Sequence, residues 1–210
     1  MTRNVFVVTH AQSEHHVQGV VGGWHDSELT ALGRRQAIAI AQRLAELVGV
    51  APVEIYASDL KRAVQTAQPI AARLGVEATL MHGLREKSFG VAGGQPNAWL
   101  DQRFVPPPRV GGRLDHHDGV EGAETRRQLF ARLFAAMDRI LASACETQVI
   151  VTHGFALTGV IAAWFRIPME AAGWIGFRPG SGGITHLQQD ERFFDRALLT
   201  FNDQDHLKGL

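Results

Sequence analysis

Apolar positions follow two alternating rhythms along the chain: short unbroken runs, and longer stretches in which they return every third or fourth residue. The first rhythm predicts buried strands and the second predicts helices with one apolar face. Asn4 to Val8 is apolar on both faces, as expected of a central strand covered on both sides. Beyond a glycine-rich loop, Thr30 offers an N-cap, and Leu32, Ala37, Ile40, Ala41, Leu44 and Leu47 form a helical stripe reaching Val48. The unit then repeats as a strand at Val53 to Ala57, a cap at Ser58 or Asp59, and a helix from Lys61 to Leu74 that ends at Gly75 and is bent or shortened by Pro69. Further along, the pattern predicts a weaker strand at Glu77 to Met81, a long helix at Gly122 to Ala144, and a strong strand at Gln148 to Thr152. A helix at Phe155 to Phe165, stopped before Pro168, and strands at Gly173 to Phe177, Gly183 to Gln189 and Ala197 to Phe201 complete the series. Strands alternating with helices imply an α/β fold, a three-layer α/β/α sandwich on a mostly parallel, doubly wound sheet, with residues 1–210 as a single domain.

The periodicity fails between about 87 and 121, where Gly93, Gly94, Pro106, Pro107, Pro108, Gly111 and Gly112 interrupt it. An excursion of that length inside a compact domain is expected to act as a lid. Arg103, Arg109 and Arg113 would supply it with positive charge, Trp99 and Phe104 with apolar surface, and His116 with His117 would hydrogen-bond a polar tail. The expected partner is therefore a small anionic molecule.

Composition narrows the field. Lys+Arg and Asp+Glu both number 21, and no basic stripe appears, which argues against a nucleic-acid binder. One cysteine, Cys145, excludes an intrachain disulfide and a thiolate metal cluster and fits a reducing, cytoplasmic setting. Val5 to Val8 is too brief for a signal-peptide core, and the apolar segment Val149 to Phe165 is broken by Thr152, His153 and Gly154, so neither export nor a membrane span is expected. Histidines are numerous, but His15-His16 and His116-His117 are adjacent pairs rather than i, i+4 pairs, so no metal and no cofactor are expected. Gly180-Ser181-Gly182-Gly183 reads as a turn, not a nucleophile elbow. Trp164, Phe165 and Trp174 suit either the core or the interface of a homodimer.

Candidate chemistry comes from position. His10, Arg62, Glu86 and His153 each follow a predicted strand end, the edge at which open α/β sheets bind ligands. A histidine can attack an electrophile, a guanidinium can hold an oxyanion, a second imidazole can add a donor, and a carboxyl group can supply a proton.

The segments that carry these residues, VFVVTHAQSEHH, GWHDSELTALGRRQA, YASDLKRAVQTA, LREKSFGVAGG, EGAETRRQLFAR and VIVTHG, resemble in order those of histidine phosphatases and phosphoglycerate mutases, from about Val5 to Phe165. The resemblance implies a phosphoglycerate mutase-like fold and a phosphatase acting on a small phosphorylated metabolite. His10 would become phosphorylated, Arg62 and His153 would clamp the phosphoryl oxygens, and Glu86 would be the general acid and then the base. Thr9, His16, Ser27, Gly154 and Phe155 would contact substrate, the last two through backbone N–H groups at a helix start. Thr9 stands where the family has arginine, Ala11 where it has glycine, and His16 where it has asparagine. Protonation of His15 or His16 is expected to restore positive charge and shift the pH optimum towards acid. Phosphoglycerate mutase-type transfer is the nearest alternative, although Leu-Arg-Glu around Glu86 resembles the phosphatase branch. A member repurposed for a ligand without phosphate is the other.

Overall fold

The computed structural model describes residues 2–210. In chain order the elements are β1 (Arg3–Thr9), α1 (Glu14–Gln18), α2 (Ala31–Val48), β2 (Glu54–Ala57), α3 (Lys61–Leu74), β3 (Ala78–Leu80), α4 (Asn97–Asp101), α5 (Arg126–Leu141), β4 (Thr147–Thr152), α6 (Gly154–Trp164), α7 (Met169–Ala172), β5 (Ile184–Gln189) and β6 (Arg196–Asp203). The strands form a sheet in the order β3-β2-β4-β1-β5-β6. The first four run parallel, whereas β5 and β6 are antiparallel additions at one edge.

Side chains of β1 alternate between two apolar layers, the geometric consequence of a strand's two-residue period. Val5 and Val7 join Phe130, Leu133, Ile150, Leu157 and Val160 on the face covered by α5 and α6. Phe6 and Val8 join Ile40, Leu44, Ile55, Ile70 and Val149 on the face covered by α2 and α3. The chain therefore has the α/β/α layering its hydrophobic pattern predicts.

Several boundaries differ for local reasons. Thr30 does cap α2, accepting the Gly33 N–H at 2.9 Å. The N-cap of α3 is Leu60 rather than Ser58 or Asp59, because Ser58 Oγ serves His153 and Asp59 pairs bidentately with Arg85 at 2.6 and 2.9 Å. Pro69 lies inside α3 without ending it. The long helix starts only at Arg126, where Thr125 and Gln128 form a reciprocal capping box. Gly173 to Phe177 is not a strand: the Phe177 N–H donates to Thr158 Oγ1 at 3.0 Å and its carbonyl accepts the same hydroxyl at 3.3 Å, so a helix side chain takes the place of a strand neighbour. Trp164 is wholly buried, leaving Phe165 and Trp174 as the exposed members of that trio.

The 87–121 stretch is not a structureless loop. It contains α4 and a short 3-10 turn, Gly90–Ala92, and shares a small core of Val21, Ala92 and Val120 with the loop that follows α1. Backbone bonds from Val21 N–H to Gln95 O and from Gly94 N–H to Val21 O, both 2.8 Å, stitch the two together. Among the described residues no helix is long and apolar enough to cross a membrane.

Candidate active site

Parallel register brings the predicted residues together. Thr9 of β1 lies opposite Thr152 of β4, so His10 and His153 leave the sheet side by side, ring centroids 5.1 Å apart and edge to face. β2 flanks β4 on the other side, and Ser58 at its end pairs through Oγ with His153 Nε2 at 2.8 Å. Arg62 follows in the first turn of α3, and its Nε donates to His10 Nε2 at 3.2 Å.

His10 is buried and fixed in one tautomer. Nδ1 donates to its neighbour's carbonyl, Ala11 O, at 2.8 Å, which leaves the Nε2 lone pair to face Arg62. Burial first, and the Arg62 charge second, push its pKa well below the ordinary imidazole value. His153 is shifted the same way by the same two causes. Its Nδ1 is buried without a partner. The Arg62 guanidinium is anchored by Gly23 O at 2.6 Å and His25 O at 2.8 Å, carbonyls of the loop between α1 and α2. Burial lowers its pKa to about 10, while Glu86 and Asp26 act in the opposite sense.

Glu86 is held by the start of α6. Its Oε2 accepts the Phe155 N–H at 2.9 Å, and Oε1 accepts Ala156 N–H at 3.0 Å and Lys87 N–H at 2.9 Å. A carboxylate at a helix N-terminus is favoured by the unpaired N–H groups and the dipole there. Its own carbonyl accepts Trp24 Nε1 and Arg132, both at 2.7 Å, and Arg132 is paired with Glu124. The Phe155 amide is therefore committed to Glu86, which corrects the expectation that it would donate to substrate.

The matching family model is the histidine phosphatase superfamily (branch 1), over residues 5–203. The chain belongs to that superfamily. It is 30% identical over 191 residues to the glucosyl-3-phosphoglycerate phosphatase of Mycobacterium tuberculosis, covering 87% of this chain and 81% of that one. A probable phosphoglycerate mutase of Yersinia enterocolitica is 32% identical over 173 residues, covering 80% and 77%. The native structure of mycobacterial glucosyl-3-phosphoglycerate phosphatase superimposes with a TM-score of 0.78 at 27% identity, covering 96% of this chain and 99% of that one.

In this histidine phosphatase superfamily member the site opens into a cavity of about 240 Å³. His10, Arg62 and Glu86 line it, as do Thr9, His16 and Gly154 from the expected substrate-contacting set. Ser27 does not line it; its hydroxyl meets His15 Nδ1 at 2.7 Å, so it positions an imidazole. His15 and His16 do not supply the expected charge. Burial, then His16, Arg62 and His25, lowers the His15 pKa to about 3, and burial followed by Arg62 lowers that of His16. Their protonation therefore gives no reason for an acid-shifted optimum, because a second cation beside Arg62 is repelled in a poorly solvated site.

Sequence reasoning did not single out Gly22, Gly23, Phe89, Pro179 and Ser181, which also line the cavity. Gly182 N–H reaches Thr9 O at 3.0 Å and His10 O at 3.1 Å, so the turn ahead of β5 clasps the strand end that carries His10. Only the glycine run at 180, 182 and 183 hinted at that approach. The charges expected of the insertion lie elsewhere: Arg103 stacks on Trp99 at 4.1 Å and Arg113 on Trp174 at 4.6 Å, and neither faces the cavity.

Proposed function

We propose that this protein hydrolyses small phosphate esters through a phosphohistidine on His10. The observation that carries the reading is His10, with its Nε2 lone pair, meeting Arg62 and Glu86 around one small cavity, with the His153 ring 5.1 Å from that of His10. In the first step His10 Nε2 forms a bond to phosphorus as the P–O bond to the leaving group breaks, and Glu86 transfers a proton to the departing oxygen. In the second, Glu86 takes a proton from water, the water oxygen attacks phosphorus, and the P–N bond breaks to return neutral His10 and release phosphate.

The chain's residues support each part. Glu86 Oε2 accepts one N–H where Oε1 accepts two, so Oε2 is the oxygen with capacity to carry the proton. Ser58 Oγ pairs with His153 Nε2 at 2.8 Å and orients the ring; in the tautomer in which Ser58 donates, His153 Nδ1–H is left as a donor for a phosphoryl oxygen. Thr9 Oγ1, also buried without a partner, is a second unspent donor on the cavity wall. One donor aimed at transition-state charge is worth ~3–4 kcal/mol.

Acid-stable quenching is unsuitable for phosphoramidates, so the test is alkaline trapping of labelled enzyme after mixing with an aryl phosphate. Label on wild type and none on His10→Ala supports the reading; no label and no phosphate release from the folded wild type overturns it. The Yersinia relative favours a second reading, phosphoryl transfer between positions of a phosphoglycerate, which would yield the isomer in place of free phosphate. The lone Cys145 supports a cytoplasmic setting, and exposed Phe165 and Trp174 support a homodimer.

A further inference from the structure

A charge inventory of the cavity wall narrows what can enter it. From β1 come Thr9 and His10, and from α1 His15 and His16. α3 supplies Arg62, and the turn after β3 supplies Glu86. The loop after α1 and the turn ahead of β5 face the cavity only with Gly22, Gly23, Pro179 and Ser181, and the start of α6 only with Gly154. Cations behind this wall are already committed: Lys87 to Asp118, Arg132 to Glu124 and Arg85 to Asp59.

Hydrogen bonds hold two of the imidazoles, His10 and His16, in neutral form. His10 donates from Nδ1 and accepts at Nε2. His16 Nδ1 accepts the Ser13 N–H at 3.3 Å, which places its single proton on Nε2. His15 and buried His153 are shifted in the same direction, first by burial. Among the described residues Arg62 is thus the single permanent cation on the wall, and two loop carbonyls already share its charge.

Resting on the phosphatase reading, we infer that the cavity takes its phosphoryl group as a monoanion, either a singly protonated monoester or a phosphodiester. A dianion would place two negative charges against one guanidinium in about 240 Å³. A monoanion leaves one fewer, in a poorly solvated space where each unpaired charge is costly. Phosphate monoesters lose their second proton near pH ~6, so at neutral pH the preference discriminates strongly.

The test compares two inert inhibitors of the wild-type enzyme, benzylphosphonate and its monomethyl ester, the second being a monoanion at every working pH. The ratio of their inhibition constants divides out protein titrations that act on both compounds alike, and measuring it also in Glu86→Gln removes the wall carboxyl that could take up a proton with the dianion. We expect phosphonate binding to weaken relative to the ester by about tenfold per unit above the phosphonate's second pKa, reaching roughly a hundredfold two units above it. A flat or falling ratio overturns the inference and leaves the phosphatase reading standing, whereas absence of binding by either compound to folded protein overturns both. Thr9→Arg, which adds a cation to the wall, should flatten the ratio; an unchanged slope in the folded variant rejects the charge count as its cause. Given a rising ratio, turnover of bis(p-nitrophenyl) phosphate assigns the diester as the source, and turnover of p-nitrophenyl phosphate alone assigns the protonated monoester.

Discussion

The strand-end cavity and the 87–121 insertion are both rich in charged and aromatic residues, yet they use them in opposite ways. Around the cavity His10, Arg62 and Glu86 are held by backbone partners, His15 by serine hydroxyls, and Thr9 Oγ1 is buried with no partner among the described residues. In the insertion, Arg103 donates to Trp99 O at 3.1 Å and Arg113 to Pro108 O at 2.8 Å, so its exposed guanidiniums satisfy themselves locally. The exception is Lys87, fully buried and paired with Asp118, directly after the proposed proton donor. The contrast teaches that unspent buried donors, rather than abundance of charge, mark where an anion is expected.

The most severe way to break the comparison is His10→Ala, which should lower kcat/KM for an aryl phosphate by roughly 10⁴-fold or more; a loss under tenfold would mean that chemistry occurs elsewhere. Lys87→Met leaves Asp118 with only the His116 imidazole, 4.0 Å away, and should cost about 3–5 kcal/mol of stability, read from urea denaturation. If the folded variant loses less than about 1 kcal/mol, the insertion is less firmly tied to the site than the buried pair implies. Ser58→Ala removes the partner that orients His153 and should reduce kcat by about 10–100-fold with a small change in KM.

A smaller effect concerns pH. His10, His15 and His153 have pKa values lowered by folding, so from the unfolded value near 6.5 downward the unfolded chain binds more protons than the folded one. Stability is therefore retained above pH 6.5 and falls as the pH drops below it, continuing towards about 3 for His15. The urea midpoint should be lower at pH 5 than at pH 7, and His15→Gln should make that slope shallower. Least of all, Arg103→Ala should leave both stability and KM within twofold; a large rise in KM would place the insertion's surface charge in the binding path after all.

Much of the architecture was legible from the chain. The runs at Val5–Val8 and Gln148–Thr152 specify strands buried on both faces, and the stripe from Leu32 to Leu47 specifies an amphipathic helix, because periods of two and 3.6 residues decide which side chains share a face. His10, Arg62, Glu86 and His153 could be marked by their places after strand ends. Their assembly could not, since it depends on β1, β4 and β2 lying side by side in parallel register.

What only the tertiary structure decided is the protonation and the commitments of the groups at the site. The sequence shows histidines at 10, 15, 16 and 153 but not that desolvation and the nearby Arg62 charge disfavour their charged forms, because desolvation is a property of packing. It shows Phe155 at a helix start but not that Glu86, from another strand's end, occupies its amide. Residue types and their rhythm are written locally along the chain; which donor meets which acceptor is settled only when distant segments compete for the same few hydrogen bonds.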